Sequence, residues 1–482
     1  MTELLSSGEI AGSAAPSQRC AYGWFSTLWP LAVIFHLAGN DFFLLTIGTS
    51  AGFGLVGLFQ VPMLVAAVAM LLRPTPLSAV ALSVSHMAVV AVKLPVVGNH
   101  EMLLLLIHVA VLLAVATKGN QWLPGVVAPL RWVLLIAYSA IAFSKLNSSF
   151  LDSSVSCAVI FGDEFAEWLH LSVSNSNVLS FLAIYGTVSI ELAIPVLLLF
   201  SRTRHLGVKV GLVFHTVLAL EPAGHVFDFT SVLFALFLLF VAPRQSHWIS
   251  NAVDDAREKL GSKNMMYIVA LIFVGNYAMS IVRNDPGWNW YFDYPVWLVF
   301  AGFVLRTTFQ ATSQRTTPIP KLSFAFGPVM TIVVALAALN AVSPYLEIRT
   351  SGAFNMYSNL STLNGETNHL LLPATLPLGD EVVLYDFTSI PGSFNSLDFY
   401  SDSDPSLGIP EENLVNYVRK FPGEADSVVE ITQGLGAGEQ VTLGQLADGY
   451  RRTGDVLGRF FYIRAVNPDG PTGCRRYWGP AH

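Results

Sequence analysis

Between Trp24 and Ser343 the chain is a succession of apolar stretches, each near the length that crosses a lipid bilayer. A spanning helix needs about 20 mostly apolar residues. That template fits about eleven segments, at 24–47, 50–72, 78–97, 100–117, 129–146, 177–200, 206–221, 225–242, 265–283, 294–307 and 322–343. The tenth is short and the seventh carries polar groups, so about ten or twelve crossings also fit. Composition points the same way: 53% of residues are hydrophobic, 12% are charged and mean hydropathy is +0.54. Soluble domains average about 25% charged residues. The expected fold is an α-helical polytopic membrane bundle. With a net charge of −7 there is no global basic field, and no nucleic-acid partner is expected.

The loops between these segments predict an orientation. Arg73, Lys118, Arg202, Arg204, Lys209, Arg244, Arg257, Lys259, Lys263, Arg306, Arg315 and Lys321 all fall on one side of an eleven-span bundle. The other side carries Asp152, Asp163, Glu164, Glu167, Asp285 and Asp293. Positive residues stay in the cytoplasm, so the N-terminus is expected inside and the C-terminal part outside. The tail at 1–23 is polar and has no apolar core of the kind a cleaved signal peptide carries. The first span, within the membrane domain at 24–343, then serves as an uncleaved signal.

Composition changes after Pro344. From there to His482, short strand-like runs (HLLLPATL, EVVLYDF, SVVEITQ, EQVTLGQL, RFFYIRAV) alternate with Gly, Pro, Asn and Asp clusters. This pattern predicts a β-rich extracytoplasmic domain over 344–482, with one helix in GIPEENLVNYVRKF. The same topology places Cys157 and Cys474 together outside, where disulfides persist, and leaves Cys20 inside. The two outer cysteines are either bridged or two free thiols.

Three ionisable groups interrupt the apolar stretch from Leu130 to Leu220: Lys145, Glu191 and His215. Each such group at membrane depth costs about 2.5–3.5 kcal/mol on insertion scales, which makes it a functional candidate. Lys145 stands near the outer end of the fifth span. It is either a lysine snorkelling to the interface or one enclosed in the bundle, where burial favours the neutral amine that can act as a base. Asn99 and His100 open the fourth span at the same face, with Lys93 nearby. Glu191 lies about 14 residues into its span, roughly 20 Å deep at 1.5 Å per residue. It reads first as a protonated or paired structural carboxyl bridging helices. His215, His36 and His86 read as buried neutral histidines bonding neighbouring helices. No GxSxG, HExxH, P-loop, CxxC or dinucleotide-binding glycine pattern is present. Hydrolase, nucleotide and zinc-protease chemistry therefore lack support, and no metal is expected.

The segment LRWVLLIAYSAIAFSKLNSSFLD resembles a signature of the vitamin K-dependent γ-carboxylase family and its bacterial HTTM-domain relatives. ELAIPVLLLFSRTRHLGVKVGLVFHTVLAL is similar to that family's Glu…Pro…Arg-x-Arg…Phe-His run, and Asn99-His100 to its Asn-His pair. AFNMYSNLSTLNGETNHLLLP resembles a stretch of bacterial members just after the last span. The resemblance covers about 30–345 and only the first part of the tail. It implies a lyase-type membrane enzyme that uses reduced vitamin K or menaquinol together with O2 and CO2. Lys145 takes the place of the base that deprotonates the quinol, and His100 that of a residue in the carboxylation site. Asn99, Glu191 and His215 support that site. Oxygen then turns the quinol into a strong base that removes a glutamate γ-proton from a peptide substrate, and the carbanion takes up CO2. Exclusion of water suits so strong a base, and a lipid-soluble quinol can enter from the bilayer. The tail, at about 140 residues, contains no match to a propeptide-binding region. Two other functions remain open: a transporter or lipid-handling protein without catalysis, and a quinol oxidoreductase without CO2 chemistry.

Overall fold

The apolar segments form helices, and two of them are enclosed by the others. In the computed structural model the described residues are 21–39, 53–95, 97–170, 177–220, 226–283, 292–313, 322–324, 326–378, 382–386, 408–420, 422–433, 438–449, 461–464, 466–467 and 470–474. Among them run α1 (Phe25–Gly39), α2 (Phe53–Leu72), α3 (Pro76–Lys93), α4 (Asn99–Lys118) and α5 (Trp122–Ser144). A short α6 (Ser148–Leu151) and α7 (Cys157–Trp168) precede α8 (Asn177–Leu199), α9 (Arg204–Leu218) and α10 (Val226–Phe237). The bundle continues with α11 (Pro243–Arg283), α12 (Asp293–Ser313) and α13 (Pro328–Val342). Local chemistry sets several of these ends. Thr75 caps α3 by accepting from Ser78 N at 3.1 Å, the Ser78 hydroxyl accepts from Thr75 N at 3.0 Å, and Pro76 supplies a preset first turn. α11 breaks at Gly261, whose φ of 70° and ψ of 153° lie outside helical space.

Every residue of α10 is buried, as is nearly all of α1, and the two pack on each other. A helix that is apolar all round belongs in an interior. Phe227, Phe234, Phe237, Trp29, Phe35 and Trp297 fill that interior without exposure. The surrounding helices turn apolar side chains outward: Val61 and Val65 on α2, Phe181 and Val196 on α8, Val274 on α11, Val299 on α12 and Ile332 on α13. By length and composition three helical stretches can cross a membrane: Pro76–Lys93, Asn99–Ser144 and Asn177–Leu199. Together with the apolar outer surface they make this a membrane protein.

The expected eleven full crossings are not reached. Phe25–Gly39, Gly57–Leu72, Val226–Phe240 and Pro328–Val342 are apolar but shorter. A hydropathy window counts apolar residues whether they face lipid or neighbouring helices, and α1 and α10 use theirs inside the bundle.

Polar contacts sort the helix ends. Arg257 donates to Leu71 O at 2.6 Å and to Thr27 Oγ1 at 3.3 Å, and Trp24 Nε1 donates to Ser246 Oγ at 2.8 Å. Arg131 Nε donates to Leu239 O at 2.7 Å and its Nη2 to Tyr22 Oη at 3.0 Å. These bonds gather the start of α1, the end of α2, the end of α10 and the start of α11 at one end of the bundle. The ends of α3 and α5 and the starts of α4 and α10 meet at the other.

Past α13 the chain folds back over that second end. A hairpin of β1 (Thr362–Leu363) and β2 (Glu366–Thr367) turns through Asn364 and Gly365, both at positive φ. Farther on, β3 (Leu384–Asp386), β4 (Gly408–Pro410), β5 (Val428–Gln433) and β6 (Gln440–Thr442) form an antiparallel sheet in the order β4-β3-β5-β6. Helices α14 (Glu411–Lys420) and α15 (Leu443–Gly449) pack on it around Tyr385, Ile409, Leu414, Val418, Val429 and Leu446. The sheet is smaller than the sequence suggested. Among the described residues, HLLLPATL and RFFYIRAV contribute only isolated bridges, and EQVTLGQL divides into β6 and α15. The N-terminal tail through Cys20, the first span beyond Gly39, and the loop residues Asp285, Arg315 and Lys321 lie outside the described residues.

Cys157, at the start of α7, is joined to Cys474 by a disulfide with S–S 2.04 Å, across 317 positions of sequence. With three cysteines in the chain and two bonded, unfolded but unreduced protein is expected to show one free thiol, three minus two. Cys157→Ser is expected to lower stability by about 2–4 kcal/mol. Thermal unfolding in detergent checks this, and reduction of the wild type should produce the same shift.

Candidate functional site

Lys145 is the residue after the last turn of α5, its own N–H bonded to Ala142 O. Only 3% of it is exposed, and Glu191 on α8 is 6% exposed. Nζ lies 2.8 Å from Glu191 Oε2, donates to Met356 O at 2.9 Å and stands 5.7 Å from the centre of the Phe150 ring. The snorkelling alternative for Lys145 is therefore set aside: its ammonium points into protein. Glu191 stands well inside α8, and sequence position alone did not pair it with Lys145. The packing of α5 against α8 brings the two together, because the crossing of the helices fixes which turns meet.

A small apolar gap opens beside this pair, lined by Leu103, Leu134, Ala137, Ile141, Phe229, Leu233 and Phe354, and by Asn99, Tyr138 and Met356. Met356 belongs to both places, since its carbonyl receives Lys145. Both side-chain polar atoms of Asn99 are buried without hydrogen-bond partners. The Tyr138 hydroxyl is bonded to His215 Nε2, so His215 stands behind the Tyr138 side of the wall.

His100 faces a different way. Its Nε2 is 3.5 Å from Asp228 Oδ2, and its ring centre is 5.0 Å from that of His36. His36 Nδ1 is 3.2 Å from the same Asp228 oxygen, while its Nε2 is 3.5 Å from Glu101 Oε1. Glu101 sits in the first turn of α4, where it accepts from Gly98 N at 2.8 Å and pairs with Lys93. An acidic residue at a helix start is favoured by the exposed amides and the helix dipole. His86 and His108 stack at 4.3 Å nearby.

A strap from Leu346 to Thr375 covers this end. Arg349 is buried and donates to Pro95 O at 3.0 Å and Ser351 O at 2.7 Å. Gly352 holds φ +71°, and a side chain there would come within 2.6 Å of Val97 O. Asn359 donates to Val155 O at 2.9 Å and to Thr472 O at 3.0 Å. Asn368 Nδ2 donates to Ser149 Oγ at 2.9 Å, and Leu370 N to Leu146 O at 2.8 Å. His369 Nε2 lies 2.9 Å from Phe143 O, which can only accept, so that nitrogen carries the proton while Nδ1 accepts from Leu371 N. Burial lowers the His369 pKa, against a smaller upward effect of the Phe143 carbonyl.

Lys145 and Glu191 thus share one contact, Asn99 lines the adjoining cavity, His215 supports its wall through Tyr138, and His100 belongs to the neighbouring acidic and histidine cluster. Sequence reasoning missed Glu101, Asp228, Tyr138 and Met356. Glu101 and Asp228 had a visible signal, since each is a carboxylate at the start of an apolar helix, whereas Met356 had none. Compared with protein-family models, curated proteins and solved structures, the chain finds no match.

Breaking a buried pair by removing one partner strands the other charge. Glu191→Leu is expected to cost about 3–5 kcal/mol, and the double replacement Lys145→Met with Glu191→Leu to recover most of it. Thermal unfolding of the detergent-solubilised variants checks this, and equal losses in the single and double variants would refute the pairing.

Proposed function

We propose that the protein is a membrane enzyme of the vitamin K-dependent γ-carboxylase type. It would oxidise a reduced naphthoquinol with O2 to its epoxide and add CO2 to the γ-carbon of a substrate glutamate. Quinol, O2, CO2 and glutamate give epoxide, water and γ-carboxyglutamate, so atoms and electrons balance. The observation that carries this reading is the enclosed Lys145–Glu191 pair beside an apolar cavity. A lysine serves as a base only when its proton has somewhere to go. Glu191, at 2.8 Å, can take that proton, and the ion pair becomes a neutral pair with no change in net charge. Lys145 is then the amine that receives the quinol hydroxyl proton.

The rest of the site has supporting roles in this reading. Leu103, Leu134, Ile141 and Phe354 provide a dry wall for an apolar ring. Tyr138, held by His215, and Asn99, whose amide makes no hydrogen bond, stand beside the gap as the groups that would meet the ring's polar edges once it widens. The strap from Leu346 to Thr375 keeps bulk water from a strongly basic reaction.

The same reading includes the topology. The apolar helices lie at membrane depth, with α1 and α10 enclosed by their neighbours. The N-terminus is cytoplasmic, and Lys145, the strap and the C-terminal domain face outward, where a peptide substrate is met. The resemblance of the Leu130–Leu220 stretch to carboxylases supports the chemistry, and the disulfide fits an oxidising compartment.

Purified protein in lipid, given reduced menaquinone, O2 and bicarbonate, is expected to form quinone epoxide, and Lys145→Ala to lose it by at least about 100-fold. Quinol consumption without epoxide would indicate an oxidoreductase. Quinol binding without consumption would indicate a carrier, and either result removes the carboxylase reading. A reporter fused after His482 is expected to be labelled from outside intact cells, and labelling only after permeabilisation would invert the topology.

A further inference from the structure

We propose that His36, His100 and Asp228 bind one divalent transition-metal ion at the wall of the cavity. The ligand atoms of these three buried residues lie within 4.8 Å of one another. Two of the separations, 3.2 Å from His36 Nδ1 to Asp228 Oδ2 and 3.5 Å from His100 Nε2 to the same oxygen, match those between neighbours on one ion. Metal–ligand bonds of about 2.0–2.2 Å at tetrahedral angles place neighbouring ligands roughly 3.3 Å apart. His100 Nε2 is buried without a hydrogen-bond partner, so the atom that would bond the ion lacks other use.

The surroundings are those of a metal site. A ligating histidine usually gives its second ring nitrogen to a carboxylate, which fixes the tautomer and orients the ring. His36 has this arrangement: Nδ1 faces Asp228 and Nε2 faces Glu101 Oε1 at 3.5 Å. Glu101 is itself held by Lys93 and by Gly98 N. The ligands come from three helices, α1, α4 and α10, each fixed in the interior, so the set is preorganised. Two imidazoles and one carboxylate select a first-row transition ion such as Zn²⁺ or Fe²⁺ over Mg²⁺ or Ca²⁺, which prefer all-oxygen shells. Three protein ligands leave a position for water or a small ligand. The residues next to the ligands in sequence, Asn99 and Phe229, line the cavity, so the ion would stand within reach of whatever occupies it.

The test uses the whole, tag-free protein in detergent, stripped with a chelator, reloaded with Zn²⁺ and desalted. Elemental analysis is expected to find about one ion per chain. His100→Gln and Asp228→Asn are expected to retain at least tenfold less, Glu101→Gln to bind about 10–100-fold more weakly, and the exposed His170→Ala to bind as the wild type does. Wild type without retained Zn²⁺, or His100→Gln and Asp228→Asn retaining as much as wild type, would overturn the proposal. A protonated His36 bridging Glu101 and Asp228 would give that result. Co²⁺-loaded wild type needs no folded variant: visible ligand-field absorption from nitrogen ligation is expected, and a spectrum like that of aqueous Co²⁺ counts against the site. Metal retention without epoxide formation would sink only the carboxylase reading, and epoxide formation without metal would sink only this one.

Discussion

A charge enclosed in an apolar bundle must be answered by another, and one end of this protein is built on that requirement. Lys145 and Glu191 come from helices that are not adjacent in sequence, and neither is stable alone at its depth. Their pairing fixes the contact of α5 with α8. The same rule organises the neighbouring cluster, where Lys93, Glu101, His36, Asp228 and His100 follow one another by opposite charge or by imidazole and carboxylate.

These polar groups gather at one end because the interior offers them nowhere else. α1 and α10 are filled with Trp, Phe, Leu and Val over their whole lengths, and the polar residues they do carry toward this end, His36 and Asp228, meet each other. The strap after α13 completes the enclosure by backbone bonding. Asn359, Asn368 and Arg349 satisfy carbonyl and hydroxyl groups that would otherwise require water. The disulfide from Cys157 to Cys474 ties the far end of the chain to the same place. An apolar gap beside a buried ion pair would suit quinol deprotonation in the proposed function, and the histidine and carboxylate cluster beside it is the proposed ion site.

Sequence and structure divided the information unevenly. The helical membrane character was legible because about 20 apolar residues in a row are rare in any other setting. Lys145, Glu191 and His215 stood out for the opposite reason, as ionisable groups where hydrocarbon excludes them. Cys157 and Cys474, bonded in the structure, could be placed on one face from loop charges alone. The extent of the sheet was overread, since apolar runs such as HLLLPATL look like strands until their bonds are traced: Leu370 N to Leu146 O, and the His369 side chain to Phe143 O, rather than to a neighbouring strand.

By itself, then, the sequence determined the solvent in which this protein folds and the residues that would be costly there, because transfer energies belong to side chains one at a time. Only the tertiary structure decided which of those residues meet. The partner of Lys145 is 46 positions away, the difference between 191 and 145, and that of His36 is 192 positions away. Such pairings depend on helix crossings and on a strap that returns from beyond the bundle, and no local pattern along the chain encodes them.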